Sequence, residues 1–392
     1  MHKVVPKSLF ICALILIALN LRAPFTSVFP LLDDLKLRLD MSSQQAGLLS
    51  SIPLLAFAIF SPIAAIIAKK ISLETTISLG LLTIIAGLCL RAWIRIDHLL
   101  IGTALIGVGI AIINVLLPSV IKQYFPNITS PLTALYILMM GIGAAINSSI
   151  VVPLSSIHFS SITLSGLPIA LLAMLPVCLF ALLVWLPIQL KRTLINNSEY
   201  AQQTPPIWKR PLAWKITVFF GLNSSFNYIF ISWYPAMLTS VGYSVETAGL
   251  YHGVLQLASA IPALVMAPLM LRYQSMTAYC VFALVTAILG IVGLLFFPPL
   301  ALWSGILFGM GAGCGFTLGL SFITLKTSTP FQAVALSGMA QSIGYFLASF
   351  APFLAGYLHE TSHQWNSTLI AMLAITPIWA TCGLLICKSQ RI

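Results

Sequence analysis

The stretch Ser8-Leu9-Phe10-Ile11-Cys12-Ala13-Leu14-Ile15-Leu16-Ile17-Ala18-Leu19-Asn20-Leu21-Arg22-Ala23-Pro24 carries the first decision about this chain. It opens an apolar run reaching about Leu32, long enough to cross about 30 Å of hydrocarbon as one helix. Lys3 and Lys7 precede it as they would precede a signal peptide, but the run continues too far and contains Arg22, so it is read as a retained first span. An arginine at the centre of a membrane helix costs about 2.5–3.5 kcal/mol on insertion scales. A guanidinium kept at that cost, with no acid nearby in the run, marks a functional site.

Composition agrees with a membrane protein. Of 392 residues, 59% are hydrophobic and 7% charged, where a soluble domain carries about 25% charge. Such a chain has too little polar surface to face water on all sides. The net charge of +11 does not indicate a nucleic-acid binder, because the basic residues are scattered and form no basic-aromatic patch. Cys12, Cys89, Cys178, Cys280, Cys314, Cys382 and Cys387 are an odd set without a C-x-x-C pair, read as reduced packing residues.

Twelve apolar runs recur, at about 8–32, 44–68, 74–94, 98–124, 131–155, 165–188, 212–238, 246–271, 276–297, 300–325, 332–357 and 366–387. None alternates as a barrel strand does, so all twelve are expected to be helices, which pair their backbone polar groups internally. The expected fold class is all-α integral membrane, with twelve transmembrane helices in two pseudo-symmetric six-helix halves. Alternate loops and the termini hold fourteen basic residues, among them Lys69, Lys70, Lys191, Arg192 and Arg272; the other side has only Lys36, Arg38, Arg91 and Arg95. The positive-inside rule then puts both termini in the cytoplasm of a multi-pass protein.

Residues 189–211, with Glu199 and Pro205-Pro206, form the longest connection and are read as a cytoplasmic linker between halves 1–188 and 212–392. Gly47-Leu48 answers to Gly249-Leu250 and Gly107-Val108-Gly109 to Gly309-Met310-Gly311 at an offset of 202; Ile142-Gly143 answers to Ile343-Gly344 at 201. A shared offset indicates a parallel 6+6 duplication.

Closer motifs are Leu19-Asn20-Leu21-Arg22, Pro30-Leu31-Leu32-Asp33, Pro53-Leu54-Leu55-Ala56-Phe57, Asn114-Val115-Leu116-Leu117-Pro118, Pro211-Leu212-Ala213-Trp214, Gly242-Tyr243-Ser244, Leu255-Gln256-Leu257-Ala258 and Ala335-Leu336-Ser337-Gly338-Met339-Ala340-Gln341-Ser342. Through these, from about residue 14 to 360, the chain resembles the bacterial cyanate transporter/2-nitroimidazole transporter group of the major facilitator superfamily. The resemblance implies the twelve-helix fold and small-molecule transport across a bacterial inner membrane, by symport or antiport. One departure is visible: the loop after span two reads Ala68-Lys69-Lys70-Ile71-Ser72-Leu73-Glu74, without the Gly-x-x-x-Asp-Arg motif of the wider superfamily.

Polar groups on the other runs are candidates to share a cavity with Arg22. On a continuous helix Arg22 lines up with Phe25, Thr26 and Phe29, while Asn20 points about 200° away and is read as a packing group. The candidate substrate-binding residues are Arg22, Asn114, Asn147, Asn223, Asn227, Tyr228, Trp233, His252, Gln256, Gln341 and Tyr345. Each Asn or Gln has an alternative role as a helix-joining group, worth about 0.6 kcal/mol on average; Tyr345 and Trp233 have one as packing or interface residues. The acids Asp33, Asp34, Asp40, Glu74, Asp97, Glu199, Glu246 and Glu360 all fall at run ends or in loops. Arg22 then lacks a counter-charge, and an anionic or strongly dipolar solute would complete the site. His252 is the candidate proton relay at depth, with Asp33 and Asp34 as outer coupling candidates.

No metal site is expected: His359-Glu360-x-x-His363 has the zinc-protease spacing but falls on an outer loop, where it is read as a solvated cluster. No cofactor is expected either, nor a nucleic-acid partner. The expected partners are the small solute, lipid and protons, with the monomer as the working unit. The rival class, an integral-membrane enzyme, needs an acid, base, nucleophile or metal cluster beside substrate-binding loops, and the short loops offer none. A transporter-like sensor lacks a signalling domain.

Overall fold

The computed structural model describes residues 6–125, 128–157, 166–190, 207–273, 275–328 and 330–390. All regular elements among them are helical. Span one occupies Lys7–Leu39, and the next four helices are Ser43–Ile71, Leu73–Arg91, Ile96–Tyr124 and Thr129–Ser155. Span six is built from Gly166–Leu171 and Leu175–Leu190. Spans seven to twelve are Pro211–Ser240, Val245–Arg272, Met276–Phe296, Ala301–Leu325, Pro330–Ser362 and Asn366–Lys388. Ten of the twelve are apolar and long enough to cross a membrane by composition alone. The other two are spans seven and eleven, diluted by Asn223, Ser224, Ser225 and Asn227 and by Ser337, Gln341 and Ser342. Within the expected linker, Gln189 and Leu190 end span six and Ile207–Lys209 form a short turn. Lys191, Arg192, Glu199, Pro205 and Pro206 lie outside the described residues.

The packing map repeats after six helices. Span one packs on five and six, two on four, and three on four and six; seven packs on eleven and twelve, eight on ten, and nine on ten and twelve. The paired glycines explain how. A Cβ on Gly107 would stand 2.6 Å from Pro53 Cα, and one on Gly309 would stand 2.7 Å from the Leu255 carbonyl oxygen. These are the four–two and ten–eight contacts, and only a residue without a side chain permits such approach. Between the two sets, span two lies along eleven and span five along eight.

Span one is not the continuous helix expected from its hydropathy. It stops at Leu19, restarts as Ala23–Thr26, and continues through a 3₁₀ turn at Phe29–Leu31 into Leu32–Leu39. Pro24 and Pro30 have no N–H, so the helical ladder loses a rung at each. In lipid such breaks persist only where other groups take up the freed polar atoms. Asn20 Nδ2 donates to the Leu16 carbonyl at 2.8 Å and Asn147 Nδ2 to the Ala23 carbonyl at 3.1 Å. Arg91 Nη1 donates to the Pro24 carbonyl at 2.7 Å and its Nη2 to Ser27 Oγ at 3.4 Å.

Candidate functional site: a cavity around Arg22

The break controls where Arg22 points. Its backbone is non-helical, with φ −136° and ψ −42°, so the helical-wheel expectation holds only in part. Phe25 shares the cavity with Arg22. Thr26 instead is fully buried and donates to the Arg22 carbonyl at 3.3 Å, and Phe29 is buried edge-on to His252. Arg22 Nη1 donates to Ser259 Oγ of span eight at 3.0 Å, a bond from the first six helices to the last six.

A cavity of about 230 Å³ surrounds this contact. Pockets for drug-sized ligands run about 300–1,000 Å³, so this one suits a smaller solute. Arg22 is its only charged lining residue among those described. Asn114, Asn227, Tyr228, Gln341 and Tyr345 line it as well. Phe25, Tyr228, Tyr345 and Phe57 follow one another edge to face, with centroids 5.8, 6.4 and 5.5 Å apart. Asn227 Oδ1 and Ser224 Oγ are buried without a hydrogen-bond partner, and Gln341 donates to Ser337 Oγ at 2.8 Å. The chemistry is one cation, several neutral donors and acceptors, and flat aromatic walls.

Five candidates lie elsewhere. Asn223 donates to the Ala312 carbonyl of span ten at 3.2 Å. Its helical neighbours do the same work, Phe230 stacking on Phe308 at 3.6 Å and Tyr234 donating to the Ala301 carbonyl at 2.5 Å. Asn223, Phe230 and Tyr234 therefore form largely a packing face toward span ten. The cavity face, carrying Ser224, Asn227 and Tyr228, is rotated by about 80° at 3.6 residues per turn. Asn147 serves the break in span one. Trp233 donates to the Pro352 carbonyl of span eleven at 2.9 Å. His252 and Gln256 are fully buried beyond the cavity; neither ring nitrogen of His252 and neither amide atom of Gln256 makes a hydrogen bond of good geometry.

Two charges read as terminal are buried. Arg91, expected as an outer-loop charge, is 0% exposed and reaches across to the break in span one. Glu74, at the start of span three, is 1% exposed and accepts from the Tyr124 hydroxyl at 2.9 Å. Their sequence positions at helix ends gave no sign that neighbouring helices enclose them.

The cavity lies toward the end of the bundle that carries Lys70, Arg272 and Lys326: it runs from Phe57 at the middle of span two to Ser61, and from Gly313 at the middle of span ten to Leu320. The far end is shut. Ser50 and Ser232 share a hydrogen bond, and a Cβ on Gly47 would stand 2.9 Å from Phe353 Cα. Thr239 donates to Asp33 at 3.0 Å, and the Gln44 amide donates to Glu360 at 3.3 Å. Asp34 takes no part and pairs with Arg38 on its own helix.

Comparison with known proteins fits this architecture. The chain is 41% identical over 384 residues to the 2-nitroimidazole transporter of Escherichia coli (strain K12), covering 97% of this chain and 96% of that one. It is 30% identical over 357 residues to the cyanate transport protein of the same organism, covering 89% of each. Among solved structures, a bacterial homologue of the human lysosomal transporter Spinster, in an inward-facing and occupied conformation, superposes with a TM-score of 0.77 over 97% of this chain and 96% of that one, at 16% identity. The family model for the Major Facilitator Superfamily matches residues 10–349. A twelve-helix membrane bundle of this packing, with relatives that are transporters and not enzymes, belongs to the Major Facilitator Superfamily.

Proposed function

We propose that the chain is a secondary active transporter for a small planar anion or strongly dipolar solute, with Arg22 as the central anchor. The observation that carries this reading is the lone guanidinium on a small aromatic-walled cavity, five N–H donors with a single protein partner. Cyanate and 2-nitroimidazole, named for the relatives, are both small and planar, which supports the class. Asn227, Ser224 and Gln341 would orient the solute, and Tyr228 and Tyr345 would cover its faces.

The two six-helix halves would rock about this site. With basic loops cytoplasmic, as the positive-inside rule expects, the shut far end makes this an inward-facing state in the inner membrane, both termini cytoplasmic. Opening the far side would separate span five from eight and two from eleven, hydrating His252 and Gln256. Their buried polar atoms, without a hydrogen bond of good geometry, cost free energy, and water or a proton would relieve that cost. His252 is thereby the coupling residue, and the monomer suffices. Proteoliposome flux of cyanate and 2-nitroimidazole tests the proposal: Arg22→Ala should abolish it at normal expression, and undiminished flux would refute the anchor. His252→Asn should remove the pH dependence of flux.

A further inference from the structure

A second cleft, of about 270 Å³, lies at the shut far end, on the other side of the Ser50–Ser232 closure from Arg22. Asp33 and Lys36 enter it from the last turns of span one; Trp233, Thr239, His359 and Trp365 enter it from spans seven, eleven and twelve. Both halves therefore build it. Lys36 Nζ donates to Ser43 Oγ at 2.9 Å, which uses one of its three donors. Asp33 is occupied by Thr239 and is not ion-paired with Lys36. Trp365 meets two rings: His359 stacks on it at 4.0 Å and 21°, and Trp233 lies tilted to it at 5.0 Å and 43°. His359 Nδ1 is buried without a partner.

The geometry points to a second binding site here, outside the closure, for a planar aromatic or heteroaromatic anion. Two free Lys36 N–H groups would take the anionic group, where a charge-assisted hydrogen bond is about twice as strong as a neutral one. The Trp365, Trp233 and His359 rings would cover the ring of the ligand in the offset or tilted arrangements that aromatic pairs favour. His359 Nδ1 or the remaining lone pairs of Asp33 would meet a donor on the ligand's edge. A molecule bound here touches both halves and so favours the state in which this end is closed, by as much as its affinity differs between the two states.

The test uses full-length protein labelled with 5-fluorotryptophan, the Trp233 and Trp365 ¹⁹F resonances being assigned from single Trp→Phe variants. The probe is benzoate, with benzyl alcohol as its uncharged counterpart. Benzoate should shift both resonances saturably in the wild type and equally in Arg22→Ala, which removes the central anchor. Lys36→Gln should raise the apparent Kd tenfold or more, Lys36→Arg should restore most of it, and benzyl alcohol should produce no saturable shift. Shifts that vanish in Arg22→Ala would assign all binding to the central cavity and overturn the second site. Lys36→Gln binding with wild-type affinity, or no saturable shift in the wild type, would overturn it too.

Discussion

Replacing Arg22 with Met should separate stability from binding. The guanidinium spends one of five donors on protein, the 3.0 Å bond to Ser259 Oγ. A hydrogen bond from a charged group returns about 1.5–3 kcal/mol, while placing arginine in a membrane span costs about 2.5–3.5 kcal/mol. The two offset each other to within about 2 kcal/mol, mostly in favour of Met, which keeps much of the side-chain length. The folded protein should lose no stability. Binding moves the other way: an anion deprived of that charge-assisted bond loses about 1.5–3 kcal/mol, or about 10- to 150-fold in Kd. Thermal unfolding of the two purified proteins in one detergent gives the first quantity. Calorimetric titration with cyanate and 2-nitroimidazole gives the second. A Kd within threefold of the wild type would refute the anchor. A large fall in Tm would refute the balance of costs and show that Arg22 is a structural residue.

Arg91→Met should have the opposite sign, because its bonds to the Pro24 carbonyl and Ser27 Oγ hold the break in span one; a loss of about 2 kcal/mol is expected, and an unchanged Tm would contradict it. Gly47→Ala puts a Cβ 2.9 Å from Phe353 Cα and the Pro352 carbonyl oxygen, backbone atoms that cannot swing aside. It should prise spans two and eleven apart and lengthen their far-end separation by spin-label distance measurement; an unaltered distance distribution sinks this idea. Asn223→Ala should lower Tm while leaving the Kd for substrate unchanged, since Asn223 bonds to the Ala312 carbonyl and not to the cavity; a tenfold weaker Kd would reverse that assignment.

Some of the site was legible because the relevant physics is local. Arg22, Asn114, Asn227 and Gln341 stand out as polar groups in apolar runs, and each lines the cavity. Asn223 and Trp233 stand out equally and do not line it, because a helical stripe says that residues share a face but not which neighbour that face meets. Two further signals are present in the sequence. Pro24 and Pro30 forecast the break in span one, and that break ends the regular angular spacing a continuous helix would give Asn20, Thr26 and Phe29. Ser224, a small hydroxyl beside a more conspicuous Asn, gave a weaker cue and lies on the true cavity face.

Hydropathy and length by themselves determine that this chain is a bundle of membrane helices, since lipid tolerates only spans whose backbone is paired internally. The glycine repeat likewise determines its duplication, since close helix approach leaves no room for a side chain at those positions. Tertiary structure alone decides which polar groups meet. Arg91 and Glu74 sit at helix ends, where a sequence reads them as solvated, and are buried because helices distant in the chain close over them. His252 and Gln256 lie on the same helix as Ser259, yet the far-end packing buries them while Ser259 reaches Arg22. A side chain's environment depends on contacts made hundreds of residues away, and no local pattern encodes those.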